Sequence, residues 1–196
     1  GTGFDALART AEGLACHEES LATARALGAR HAQVDATVNL LWSLPDLGRH
    51  EEAIALGEQA LALGDYDGTP ALLNNLAFLH WDQGRFDAAE PLYERLSATE
   101  DPTVRCFAWA KRIALAARRG DAAACSAAVE QALATLALTE MYRAHAIVMV
   151  AVLTHGDAAQ RERARAWWRP GQALDPSLQQ QLEAAPLTTR EQPDGR

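Results

Sequence analysis

Gly48, Gly84, Gly120 and Gly156 stand 36 residues apart. A fixed period of that length means one supersecondary unit used several times, each copy relying on its neighbours to bury an apolar face. The flanks repeat as well: GRHEEAIAL follows the pattern of GRFDAAEPL, and GDAAQR that of GDAAAC. A helical pattern runs into each glycine and another runs out of it. Glycine takes the left-handed conformation that ends a helix, so the repeated unit reads as two helices with a hinge between them.

The composition agrees. Alanine and leucine dominate, β-branched residues are sparse, and 48% of the chain is apolar, which favours helices with a real core. Thr69 to Ala98 is the clearest unit. Thr69 is expected to cap the first helix and Pro70 suits its first position. Leu73, Leu76, Ala77 and His80 then recur at helical spacing, and after Gly84 so do Phe86, Ala89, Tyr93 and Leu96. Before this pair, a helix is expected from Phe4 to Cys16, weakened at its end by Gly13. A degenerate first repeat follows over His17–Gly28, then helices over 29–44, stopping near Pro45, and over 49–63. After the pair, Asp101-Pro102 opens a helix to Arg119, and Asp121 caps one to Leu136. Thr139 opens one to His155, and Asp157 caps one that Pro170 ends. Asp175-Pro176 starts a last short helix with the polar face of a terminal cap. A single helical domain over 1–185 and a frayed tail over 186–196 are expected.

A hinge glycine with a small residue five positions later and an aromatic four after that resembles the tetratricopeptide repeat. Leu73, Leu76, Ala77, Gly84, Phe86, Ala89 and Tyr93 carry the likeness best, and it extends over roughly residues 14–169. The resemblance implies an all-α fold, a right-handed αα-superhelix of about four to five helix pairs plus a capping helix. Its seam pairs the residue seven before each glycine with the one five after. Here these are Leu41, Ala77, Ile113 and Met149 against Ala53, Ala89, Cys125 and Arg161. Arginine does not fit a tight seam, so the last pair is expected to be shifted in register or splayed.

Charge and reactive residues narrow the function. The chain carries −8 overall, unevenly: residues 1–100 hold 16 acids and 6 bases, net −10, and residues 101–196 hold 10 acids and 12 bases, net +2. An acidic surface argues against nucleic acid and suits a neutral or basic partner. The Arg161, Arg163, Arg165 and Arg169 segment beside Trp167 and Trp168 is too isolated to reverse that; its tryptophans are expected to pack under the cap and its arginines to be solvated. Cys16, Cys106 and Cys125 have no CxxC spacing and fit a reducing compartment. All three are read as small buried residues. No apolar run approaches a membrane span, and no charged-then-apolar leader opens the chain, so a soluble cytoplasmic protein is expected. The opening Gly1-Thr2-Gly3 is compatible with a piece of a longer protein. His17, His31, His50, His80, His145 and His155 form no metal-ligand spacing. His80 reads as a packed side chain, and His17-Glu18-Glu19 and His50-Glu51-Glu52 as first-turn residues of exposed helices. No nucleophile, phosphate loop or carboxylate pair stands out, so neither enzyme activity nor a cofactor is expected.

In the tetratricopeptide likeness, the first helix of each pair lines a groove that receives a peptide or partner helix. Nine before the glycines stand Asn39, Asn75, Lys111 and Ile147; six before, Trp42, Phe78, Ala114 and Val150; thirteen before, Asp35, Ala71, Phe107 and Arg143. These offsets share one helix face. Asparagine amides match a peptide unit's donor and acceptor, and aromatic side chains supply the apolar anchors. Asn39, Trp42, Asn75, Phe78, Phe107, Lys111 and Arg143 are therefore the candidate partner-binding residues of a non-catalytic protein- or peptide-binding scaffold. A homo-oligomer is compatible with such a face. The alternative is a sensor or assembly domain of a larger protein, because the Ala/Leu/Arg-rich texture resembles the helical-repeat C-terminal regions of large ATP-dependent bacterial transcription regulators.

Overall fold

The computed structural model describes residues 2–64, 66, 68–139, 141–167 and 180. Every regular element among them is an α-helix. The chain divides into two compact units, residues 1–96 and 97–196. Apart from Gln180, which is helical and exposed, the short helix expected after Asp175-Pro176 and the tail fall outside the described residues.

Unit 1 holds α1 (Thr2–Ala26), α2 (Arg30–Asp46), α3 (His50–Leu61), α4 (Thr69–Asp82) and α5 (Phe86–Ser97, the unit boundary lying after Leu96). α1 packs on α2, α2 on both α3 and α4, and α3 on α4. The core is built of Leu14, Leu21, Val34, Leu40, Leu44, Ile54, Leu72 and Leu76. Left-handed glycines sit at the turns: Gly28, Gly48 and Gly84 have φ of 64°, 74° and 71°. Leu44 shows how the turns close, its carbonyl accepting from both Leu47 and Arg49 N–H. Trp81 meets Phe86 and Tyr93 edge-on, with ring centroids 5.1 and 6.3 Å apart, tying the end of α4 to α5. Ala77 and Ala89 are both fully buried, as their seam positions require.

Three local expectations change. Gly13 does not interrupt the first helix. Glycine costs only about 1 kcal/mol in a helix interior, and α1 runs on for 25 residues. His17, Glu18 and Glu19 therefore lie mid-helix, where Glu18 pairs with Arg49 at 3.0 Å. Thr69 does not cap α4; its hydroxyl instead accepts the Tyr66 N–H at 2.7 Å and closes the preceding turn. α2 runs one residue past Pro45, whose ring removes one bond from a turn that is already ending.

Unit 2 holds α6 (Pro102–Arg118), α7 (Ala122–Leu136), α8 (Tyr142–His155) and α9 (Ala158–Arg165). α6 packs on α7 and α8, and α8 on α9, around Cys106, Ile113, Val129, Leu133, Leu136, Val148 and Val152. Asp101 caps α6 through the Thr103 N–H at 2.7 Å, and Asp121 caps α7 through the Ala124 N–H at 2.9 Å. Asp157 and Gln160 form a reciprocal capping box at α9, at 2.8 and 3.1 Å. Thr139 acts three residues ahead of α8, its hydroxyl accepting the Met141 N–H at 3.2 Å.

The hinge at Gly156 departs from the others. Its backbone is extended, φ −70° and ψ 161°, where Gly120 has φ 69°. The helix after it is turned by one residue. Ala53, Ala89 and Cys125, five after their glycines, are buried, whereas here Gln160, four after, and Ala164 are buried. Arg161 is displaced to the margin, where its guanidinium donates to the Thr154 carbonyl at 3.4 Å. The register shift is thus made at the hinge, which spares the seam an arginine.

Candidate functional site

In unit 1 the offsets 35, 39, 42 and 46 place Asp35, Asn39, Trp42 and Asp46 on one face of α2. None of them is buried, and Trp42 is 66% exposed. α4 repeats the arrangement 36 residues on, with Ala71, Asn75, Phe78 and Asp82. Phe78 is 51% exposed and Asp82 is exposed. The other sides of both helices explain why: Leu40, Leu41, Leu44, Leu72, Leu73 and Leu76 fill the core, which leaves the aromatics outward. Two large apolar side chains held outward at equivalent positions of two packed helices are the kind of feature that interaction sites have.

The asparagines divide. Asn39 is exposed. Asn75 is buried, its Nδ2 donating to the Val38 carbonyl at 3.4 Å and its Oδ1 accepting from Asn74 Nδ2 at 3.5 Å. Its amide stitches α4 to α2. Asn74, half-buried one residue earlier, is nearer the surface. Asp35 lies over the start of α4, where a Cβ on Gly68 would come 2.9 Å from Asp35 Oδ1. At the turn between α3 and α4, Tyr66 meets His31 edge-on at 4.3 Å.

His80, read as a packed side chain, is buried. Its Nε2 lies 3.8 Å from Glu58 Oε1 and its Nδ1 has no hydrogen-bond partner. Burial holds the imidazole below its ordinary pKa, with Arg85 adding to this and Glu58 and Glu51 opposing it. The ring is therefore a neutral spacer.

Unit 2 presents its candidates differently. Phe107 is half-buried against the core. Lys111 is half-buried, and desolvation lowers the pKa of its ammonium group. Arg143 is exposed in the first turn of α8. Where unit 1 has Trp42 and Phe78, unit 2 has Ala114 and Val150, both half-buried. Arg112 lies 4.5 Å over the Trp109 ring and donates to Ser97 Oγ at 2.7 Å. In the arginine-rich segment, Arg163 pairs with Glu130 at 2.8 Å and Arg165 with Glu162 at 3.4 Å. Trp167 packs against the core, edge-on to His145; Trp168 and Arg169 fall outside the described residues.

The thiols split in the same way. Cys125 fills its alanine-like slot, 3.9 and 3.8 Å from the Ile113 and His155 carbonyls. Cys106 is wholly buried, which pushes its thiol up to about 11. Cys16, expected to be buried, is exposed, because it lies on the outer side of the unbroken α1. Among the described residues no three metal-ligating side chains come together, and no helix is long and apolar enough to cross a membrane.

The feature that the groove offsets alone overlook is the acid one turn beyond each aromatic. Asp46 and Asp82 stand two before Gly48 and Gly84, so the 36-residue register would have found them.

A family model for the tetratricopeptide repeat matches residues 46–106. The chain is similar in fold to the crystal structure of BtubC (BKLC) from P. vanneervenii, with a TM-score of 0.65 and 21% identity, over 90% of this chain and 82% of that one. At that identity the likeness is one of fold. No curated protein matches the chain in sequence. The hinged helix pairs and the left-handed glycines at 48 and 84 agree with the family match: residues 46–106 fold as helix pairs of the tetratricopeptide-repeat kind.

Proposed function

We propose that the protein is a non-catalytic scaffold that binds a segment of a partner protein on the α2–α4 face of unit 1. Tetratricopeptide repeats in general mediate protein–protein interaction. The observation that carries the reading is the outward pair Trp42 and Phe78, at equivalent positions on two packed helices. Asn39 adds an exposed amide beside them, and Asn75 contributes by fixing the spacing of the two helices. Phe107, Lys111 and Arg143 offer unit 2 a smaller, more basic contact.

The aromatics set the strength. An aromatic side chain buries 150–250 Å², so at their present exposure each has about 100–150 Å² left to cover. At about 25 cal/mol/Å² the pair would contribute about 5–7 kcal/mol. Against an association cost of at least about 4 kcal/mol, this supports weak, reversible binding unless polar contacts add to it. The test is to pan a random-peptide display library on the immobilised protein. Enriched peptides should bind the wild type and lose more than tenfold in affinity for Trp42→Ala/Phe78→Ala. Failure to enrich any peptide, or equal binding to the double variant, would remove the assignment.

A further inference from the structure

We infer that the occupant of the Trp42–Phe78 face is a basic, extended segment carrying two apolar side chains three residues apart. The inference rests on the binding reading above and adds the partner's chemistry.

α2 and α4 carry Asp35, Asp46 and Asp82 against a single arginine, Arg30, and no lysine. All three aspartates are exposed. Unit 1's arginines at the neighbouring hinges are directed elsewhere, Arg49 to Glu18 and Glu52 and Arg85 to Glu51. Among the described residues no ion pair takes Asp35, Asp46 or Asp82. Each aromatic therefore has a carboxylate one helical turn away on the same face, which no described residue neutralises.

The position of these acids is informative. Asp46 closes α2 and Asp82 closes α4. A helix C-terminus carries the negative end of the dipole, so an anion there opposes the helix. Fold stability does not account for the same unfavourable charge at two equivalent positions. At the corresponding positions of unit 2 stand Arg118 and Thr154, and no exposed aromatic precedes them. The acid–aromatic pairing belongs to unit 1.

A cationic side chain meets both halves of this arrangement. Guanidinium or ammonium groups pair with the carboxylate and lie against the ring face, tryptophan being the best ring for it. The aromatics stand at equivalent positions of α2 and α4, which pack on each other, and the axes of packed helices lie about 8–10 Å apart. In an extended chain with a rise of about 3.1 Å and three residues per turn, side chains at i and i+3 share a face about 9 Å apart. Apolar groups at those two positions reach Trp42 and Phe78, and arginine or lysine beside them reaches Asp46 and Asp82.

The test uses three labelled synthetic peptides and fluorescence anisotropy on the full chain. One carries two leucines three apart among arginines. The second has glutamate for every arginine, and the third has alanine for both leucines. The arginine–leucine peptide should bind the wild type best and weaken with added salt. It should bind Trp42→Ala/Phe78→Ala about tenfold or more weakly, and Asp46→Asn/Asp82→Asn several-fold more weakly. Asp87→Asn, which removes an exposed acid on α5, should leave it unchanged. Circular dichroism verifies that the variants are folded. Equal binding of the glutamate peptide, or no loss on Asp46→Asn/Asp82→Asn, overturns the charge assignment. If affinity still depends on Trp42 and Phe78 in that case, the binding reading survives. Loss of that dependence as well overturns both.

Discussion

Gly57 lies in the middle of α3 and is buried, which makes it the sharpest probe of how tightly unit 1 is packed. A Cβ added there would stand 3.0 Å from Leu76 Cδ1 and 3.2 Å from Leu41 Cδ2. Both leucines are themselves enclosed, 1% and 3% exposed. Two effects of Gly57→Ala oppose each other. Alanine favours the helix by about 1 kcal/mol, while forcing a methyl into a filled core costs about 1–3 kcal/mol. The net change should be a loss of up to about 2 kcal/mol, since the methyl is caught between two leucines from different helices. Leu76→Ala alone should cost about 2–5 kcal/mol. Once Leu76 is shortened, however, the new methyl enters space that has been vacated. The double variant should be more stable than the sum of the singles predicts by about 1–2 kcal/mol. Urea unfolding followed by circular dichroism, fitted to the transition that Leu76→Ala displaces, measures all four corners. Additivity within about 0.5 kcal/mol, or a full helix-propensity gain from Gly57→Ala in the wild type, would refute the close approach.

Asp46→Asn and Asp82→Asn should each stabilise the free protein by about 0.3–1 kcal/mol, through relief of the charge at a helix C-terminus, measured by urea unfolding at low salt. Asp157→Ala should cost unit 2 about 1 kcal/mol by opening the α9 capping box, read in the same assay. His80 makes unit 1 sensitive to acid. Its folded pKa lies below the ordinary value of 6.5, so above that pH both states hold it neutral. As the pH falls through 6.5 and on towards the folded value, the unfolded chain takes up a proton that the folded chain refuses, and stability declines. Unfolding measured across this window should give a flatter profile for His80→Phe than for the wild type; an unchanged profile would show that the histidine contributes nothing.

The helix pairs were legible because the chain punctuates itself locally. A left-handed glycine, an aspartate cap and a 3.6-residue stripe each specify their structure within a few residues, and Gly84, Asp101, Asp121 and Asp157 behave accordingly. Where the sequence misleads, the deciding contact lies elsewhere. Gly13 signals a break that the rest of α1 overrides, and with it Cys16 moves to the surface. Thr69 has a capping side chain, yet the Tyr66 N–H competes for it. Gly156 has the sequence of a hinge but not its conformation, because a left-handed turn there would deliver Arg161 to the seam. On the candidate face, periodicity places Trp42 and Phe78 on the right side of their helices. It does not distinguish Asn39 from Asn75, since burial of Asn75 depends on how closely α2 lies to α4.

The distribution of the three cysteines has an experimental use. An alkylating reagent should modify Cys16 without delay, since its thiol needs no opening of the chain. Cys106 and Cys125 must wait until unit 2 exposes them. When reclosing outpaces alkylation, their labelling rate is the reagent's intrinsic rate scaled by the fraction of molecules in which that unit is open. The two buried thiols thus report on the unit that lacks the aromatic pair. Adding a peptide that occupies Trp42 and Phe78 should leave the slow labelling phase untouched if the units open independently. A slowing in step with peptide saturation would measure the free energy by which one half of the chain senses what the other has bound.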